Sequence, residues 1–202
     1  MSGGRGRRES VAEQRERRAA IDDPAVVLEA TARFLEVRSR SVAEVRRRLA
    51  QAGYRADLIE GAIVRMTDLG MLDDETFARA WVESRDRARP RGERAIREEL
   101  RLKGIDRASI DLVLAERREA VAGGDGTYIE GLPTGSADEL AARRLLDRNR
   151  RALERVADPR QRRQRAYALL ARNGFDPDIC RAVASAFEAV DPGERPDDAS
   201  DA

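Results

Sequence analysis

Asp73, Asp74 and Glu75 form the one run of carboxylates in this 202-residue sequence dense enough to suggest a metal site or an acid–base pair. The rest of the catalytic inventory is empty. Histidine, the commonest general base and metal ligand, is absent. No Walker loop, dinucleotide fingerprint or paired-cysteine motif occurs. Thr76, Phe77 and Trp81 follow the acidic run at helical spacing, so its expected work is to cap a helix and complement the helix dipole. Phe77 and Trp81, one turn apart, are expected in a core rather than stacked on bases. Cys180, the single cysteine, cannot form an internal disulfide and is expected as a small buried residue, in keeping with a reducing cytoplasm. The chain therefore reads as a non-enzyme with no metal and no cofactor.

Arginine is the chemistry this sequence has in quantity. Lys103 is its only lysine, and the net charge of +1 conceals a basic middle, with residues 25–187 at +5 and residues 188–202 at −5. Guanidinium forks suit phosphates and carboxylates. The candidate contacts fall in three groups. Arg46, Arg47 and Arg48 come first, then Arg89, Arg91, Arg94, Arg97 and Lys103, then Arg143, Arg144, Arg148, Arg160, Arg162, Arg163 and Arg165. From Arg143 to Arg165 the chain carries ten arginines against three acids. If repeated units repeat their surface, these bases form one positive stripe. A stripe of that kind supplies the sequence-independent part of nucleic-acid binding. No helix carries a run of base-reading side chains, so sequence-specific reading is not expected.

The elements that must position these side chains are helices. With 38% charged and 4% aromatic residues, the composition suits amphipathic helices that share narrow apolar seams. Asp23-Pro24 opens one helix. Ser41-Val-Ala-Glu44 and Ser136-Ala-Asp-Glu139 read as capping boxes, and Asp57-Leu-Ile-Glu60 reads as a further cap. Pro159 and Pro177 stand at first helical positions, each behind an aspartate. No strand or hairpin pattern competes. No apolar stretch approaches the ~18 to 20 residues of a membrane span, and no secretory signal is visible, so the expected setting is the cytoplasm.

The helices repeat. Leu49-Ala-Gln-Ala-Gly53-Tyr54 aligns with Leu100-Arg-Leu-Lys-Gly104-Ile105 and Leu170-Ala-Arg-Asn-Gly174-Phe175. Val45, Ile96 and Ala166 precede these glycines by the same interval, and Ala62, Val113 and Val183 follow them by the same interval. Each glycine is expected just past a middle helix with positive φ, and each leucine in a core. The expected architecture is all-α: three tandem three-helix repeats, nine principal helices, forming an elongated, curved body. The repeats are assigned to residues 23–70, 71–121 and 136–190. Residues 1–22 read as a charged disordered segment, 122–135 as a Gly-rich mobile loop, and 191–202 as an acidic disordered tail.

Met71-Leu-Asp-Asp-Glu-Thr-Phe-Ala78, Arg85, Arg91-Gly-Glu-Arg-Ala-Ile-Arg-Glu-Glu-Leu100 and Lys103-Gly-Ile105 resemble the central unit of the RecX family, the bacterial regulators of the recombinase RecA. Arg38-Ser-Arg40-Ser41 with Glu44 and Leu49 is similar to that family's first unit, and Arg172-Asn-Gly-Phe175 with Ile179 to its third. The resemblance spans about residues 25–190. It implies a monomeric regulator that lodges in the groove of the RecA–DNA filament and restrains recombinase, ATPase and co-protease activity. The residues alone leave two other readings: a helical-repeat nucleic-acid binder with no protein partner, and a scaffold that docks a partner helix.

Overall fold

A computed structural model of the protein describes residues 9–122 and 135–189. Among them are eleven helices and no strand. They run α1 (Val11–Ala19), α2 (Pro24–Glu36), α3 (Val42–Ala52), α4 (Ala56–Asp68), α5 (Asp74–Ala88), α6 (Glu93–Leu102), α7 (Arg107–Ala122), α8 (Ala137–Arg148), α9 (Arg150–Glu154), α10 (Pro159–Arg172) and α11 (Pro177–Ala189). The chain divides into two compact units, one of Met1–Ala80 with Leu100–Ile110 and one of Trp81–Glu99 with Asp111–Ala202. No helix of the described residues is long and apolar enough to cross a membrane. Most of the Gly-rich stretch and the whole acidic tail lie outside the described residues.

Three identical helix stops give the repeat its physical content. The Leu49, Leu100 and Leu170 carbonyls accept from the Tyr54, Ile105 and Phe175 amides at 3.2, 3.1 and 3.4 Å. Between each pair sits a left-handed glycine: Gly53 at φ 100°, Gly104 and Gly174 at φ 81°. A side chain at that φ clashes with its own backbone, which is why glycine recurs there. The three leucines are 3%, 0% and 0% exposed, so the seam residues are core as expected. In the first unit the core gathers Val27, Val45, Leu49, Ile59, Ile63 and Met66; in the second it gathers Leu146, Ala166, Leu170, Phe175, Cys180 and Val183.

Four expectations give way. Residues 11–19 are helical, opened by a Ser10–Glu13 capping box, where disorder was expected. With the short α9 this raises nine helices to eleven among the described residues. The Ser41–Glu44 box is half-made. Ser41 Oγ accepts the Glu44 amide at 3.1 Å, but the Glu44 carboxylate turns away to Lys103 Nζ at 2.8 Å and to Arg38. A half-buried ammonium is a stronger partner than a helix-end amide. Asp57 and Glu60 cap nothing: Arg55 occupies the N-cap of α4, and the two acids pair with Arg55 and Arg46. Trp81 is half-buried rather than core, because its indole N–H needs a polar partner and finds Glu99 Oε2 at 2.8 Å.

Candidate nucleic-acid interface

The repeat keeps its core and changes its surface. Counting from the aligned glycines, Arg46, Arg47 and Arg48 of α3 share positions with Arg97, Glu98 and Glu99 of α6 and with Tyr167, Ala168 and Leu169 of α10. One position is kept in two copies. Arg46 pairs with Glu60 at 2.6 Å, and Arg97 pairs with Asp111, which stands at the matching place on the next helix. At the other two positions cations face solvent in the first copy and acids take their place in the second. Glu99 there holds Trp81, Arg85 at 2.5 Å and Arg91 at 3.7 Å. The middle helices therefore do not repeat one basic face.

A group of arginines without carboxylate partners among the described residues gathers around one aromatic ring in the first unit. Val45 and Leu49 turn one face of α3 into the core, which leaves Arg47, Arg48 and Gln51 outward. Phe34 of α2 is half-buried beside them. The Arg40 guanidinium lies 4.3 Å from its ring centroid and that of Arg48 5.9 Å. Arg40 Nε is buried without a partner. Desolvation and the like charges of Arg38 and Arg48 lower the Arg40 pKa from its ordinary value, and the Glu44 carboxylate offsets part of this.

Two adjoining clefts share Phe34, Arg48 and Gln51. The larger, about 510 Å³, is lined by Arg15, Arg18, Arg33 and Tyr54 as well, and no carboxylate lines it. The smaller adds Arg40, Arg47 and Glu44, whose carboxylate is already held by Lys103 and Arg38. Arg15, Arg40, Arg47 and Arg48 have no carboxylate partner among the described residues, whereas Arg33 pairs with Glu29 at 2.5 Å. Unpaired cations around an aromatic face are what a phosphate backbone with unstacked bases requires. By contrast, the 420 Å³ cavity in the second unit mixes Arg94, Arg97, Arg117 and Arg118 with Glu93, Asp138 and Asp176, so acids offset most of its positive charge.

The other candidate cations divide into structural and open groups. Lys103 is only 19% exposed, paired with Glu44 and lying 5.9 Å from the Phe77 ring centroid. Arg91 donates to Asn173 Oδ1 at 2.9 Å. Arg148 donates to the Arg87 and Ala88 carbonyls at the end of α5, and Arg162 to the Val156 carbonyl. Arg144 bonds the Leu140 carbonyl at 3.2 Å and stays exposed, as Arg163 does, while Arg143 is half-buried. Arg89, Arg94, Arg160 and Arg165 are exposed with no carboxylate partner among the described residues.

The acidic run is three separate devices. Asp73 caps α5, accepting the Glu75 and Thr76 amides at 2.9 and 3.3 Å. Glu75 pairs with Arg79. Asp74 reaches across to the Val42 amide of α3 at 2.9 Å. The matching reach recurs in the second unit, where Asp138 accepts the Glu93 amide of α6 at 2.9 Å. Arg117 completes that place. Its side chain is 5% exposed, with two bonds to Asp86 at 2.9 Å and one to Asp138 at 2.5 Å. Burial alone would lower its pKa, but these two carboxylates outweigh it and the net direction is upward.

The sequence reading missed Arg15, Arg18, Arg33 and Phe34 as groove residues. No spacing pattern joins α1 to α3, and a helix of mostly charged residues advertises no docking face.

Family models of the RecX first, second and third three-helix domains match residues 28–66, 73–114 and 138–183. Regulatory protein RecX of Mycolicibacterium vanbaalenii is 33% identical over 160 residues, which cover 76% of this chain and 78% of that protein. The Mycobacterium ulcerans protein of the same name is 32% identical over 158 residues, 78% of this chain and 82% of its own. The crystal structure of RecX from Lactobacillus salivarius shares the fold at TM-score 0.65 and 19% identity, over 84% of this chain and 99% of that one. A second RecX crystal structure matches at TM-score 0.62 and 18% identity, over 87% of this chain and 73% of that one. Matched in all three of its helical repeats and along most of its length, the chain belongs to the RecX family of regulatory proteins.

Proposed function

We propose that this protein binds the RecA–DNA filament as a monomer in the cytoplasm and restrains the recombinase, ATPase and co-protease activities of RecA. The observation that carries the DNA side of this reading is the pair of arginine-lined clefts around Phe34, the larger of which no carboxylate lines. The RecA side rests on membership of the family. The groove takes a stretch of phosphate backbone, with the guanidiniums as positioning contacts rather than base readers. Arg160, Arg163 and Arg165 provide a second, weaker attraction from the far part of the chain. No catalytic group, metal or cofactor enters this scheme.

The test is DNA-dependent ATP hydrolysis by the cognate RecA. Added protein should lower the rate, and the Arg40→Glu, Arg47→Glu, Arg48→Glu variant should need a much higher concentration for the same effect. An unchanged rate at saturating protein removes the RecA reading. A second reading, direct binding of single-stranded DNA without RecA, is favoured by the same cation–aromatic groove. Fluorescence anisotropy of a labelled oligonucleotide, repeated across salt, separates the two.

A further inference from the structure

Two glycine turns in the described structure are not only helix stops. They are sockets. A Cβ on Gly104 would come within 2.3 Å of the Ala43 Cβ in the first turn of α3. A Cβ on Gly174 would come within 2.4 Å of the Ala95 Cβ in the first turn of α6. The carbonyl just before each glycine also accepts a bond from the N-cap residue of the helix it meets. Ser41 Oγ donates to the Lys103 carbonyl at 2.7 Å, and the Gly92 amide to the Asn173 carbonyl at 3.0 Å. Close backbone approach plus a donor to the pre-glycine carbonyl is how one middle helix seats on the next.

Gly53 is the same turn in the first repeat, and no other repeat among the described residues precedes it. Its socket is nevertheless filled. A Cβ there would come within 2.8 Å of the Arg15 carbonyl oxygen and 2.9 Å of the Arg15 Cα. Arg18 Nη1 donates to the Ala52 carbonyl at 3.3 Å, the carbonyl just before the glycine. The Arg18 guanidinium lies 5.8 Å from the Tyr54 ring centroid. The helix α1 thus supplies both parts of the junction, although it buries none of its own residues.

We infer that α1 is a cap in cis: a helical segment of this chain that occupies the helix-accepting socket of the first repeat, which no other described repeat fills. Terminal units of repeat proteins need such a cover, because each repeat otherwise presents a surface built for a neighbour. Docking also carries Arg15 and Arg18 to the phosphate groove, but the cap stands whether or not that groove binds DNA. Its recognition is a backbone fit, which explains why α1 has no apolar stripe.

Hydrogen–deuterium exchange on the full chain tests it, with two glycine variants. Gly53→Ala forces a Cβ into Arg15 at a left-handed φ. Gly70→Ala carries a comparable backbone penalty at φ 67° with nothing within 4 Å of its Cβ. The parent should protect the amides of residues 11–19 beyond an isolated peptide of that sequence. Gly53→Ala should abolish that protection and leave residues 56–68 protected, whereas Gly70→Ala should keep it. If Gly53→Ala does not fold, Arg18→Ala should raise exchange in residues 11–19 by roughly fivefold, the loss of one hydrogen bond. Equal protection of residues 11–19 in the parent, Gly53→Ala and Arg18→Ala overturns the cap, as does a parent whose α1 exchanges like the free peptide.

Discussion

The helices α3 and α6 hold matching places in their repeats and have opposite surfaces. Both seat a leucine, Leu49 or Leu100, in the core, both end in a left-handed glycine, and both send an arginine to an acid seven residues past that glycine. Beyond that they part. Arg47 and Arg48 meet solvent without acids, while Glu98 and Glu99 stand in their places and Glu99 binds two arginines and the Trp81 indole. A fold under common packing demands has kept what packing needs. The solvent-facing positions differ: in α3 they carry arginines without acid partners, and in α6 they carry acids, one of them in an ion-pair network.

The largest test addresses the shared half. Leu49→Ala and Leu100→Ala should each cost about 2 to 5 kcal/mol, since both side chains are buried at the same seam. Denaturant unfolding of the two variants measures it. A loss near zero at either position would break the equivalence of the two helices.

The next test addresses how the first copy meets its neighbour, where two carboxylates have opposite signs. Desolvation pushes the Glu44 carboxyl up, but bonds from Lys103 and Arg38 outweigh it, and the net direction is downward. Its contribution to stability is therefore full above the unfolded carboxylate value and is lost as pH falls through the depressed folded value. Desolvation dominates at Asp74, helped by Asp106 and Asp73, and overcomes the Val42 amide, so its pKa is raised. Ionised Asp74 penalises the fold, and the penalty develops as pH rises from the unfolded value to the folded one. Glu44→Gln keeps an oxygen for Lys103 but loses the carboxylate charge and the second acceptor for Arg38, and should cost about 1 kcal/mol at pH 7, the difference between a charge-assisted and an ordinary hydrogen bond. Asp74→Asn keeps an oxygen for the Val42 amide and should match or exceed the parent. Urea titrations at pH 7 and pH 4 check both, and the Glu44→Gln deficit should shrink at the lower pH.

How much of this was legible in the sequence follows from the range of each interaction. Leu49, Leu100, Leu170 and their glycines are local signals, a seam and a stop within six residues, and the structure keeps them in all three copies. Asp23, Ser136 and the two prolines at helix starts were readable for the same reason. Glu44 looked like half of a capping box because its competitor, Lys103, lies 59 residues away. Asp74 and Asp138 cap helices 32 and 45 residues distant, and no pattern along one helix predicts that. The helix α1 was invisible for another reason: it docks by backbone contact at Gly53, and side-chain periodicity carries no record of such a contact. The arginine groove needed α1, α2 and α3 together, so of its arginines only Arg47 and Arg48 were among the named candidates.

The divergent half of the comparison is tested on binding. Arg47→Gln with Arg48→Gln should weaken single-stranded DNA binding for every sequence and flatten its salt dependence, by about 0.7 in the log–log slope for each phosphate the protein no longer neutralises. Arg97→Gln should leave the slope unchanged, because Asp111 and Glu93 already neutralise that guanidinium. Filter binding from low to high salt gives both slopes. If the Arg97 variant flattens the curve as much as the double variant, the contact surface lies on α6 and the groove reading fails.

The smallest effect sharpens the one surface feature the two helices share. Arg46 with Glu60 and Arg97 with Asp111 are the same bridge made twice, from a middle helix to the helix that follows it. Both are largely open to water, with Arg46 48% and Glu60 51% exposed, Arg97 40% and Asp111 48%. Solvent screening and the entropy of fixing two long side chains hold such pairs to about 0.2 to 1 kcal/mol. Double-mutant cycles to alanine should therefore return small couplings at both places, and both should shrink in 1 M salt. Removing Asp111 alone should cost less than removing Glu60 alone, since Glu93 remains within reach of the other Arg97 nitrogen at 3.1 Å. A coupling well above 1 kcal/mol at Arg46 would mean that the bridge fixes the angle between α3 and α4. In that case the arginine serves architecture in both copies, and only Arg47 and Arg48 remain as candidate contacts on this helix.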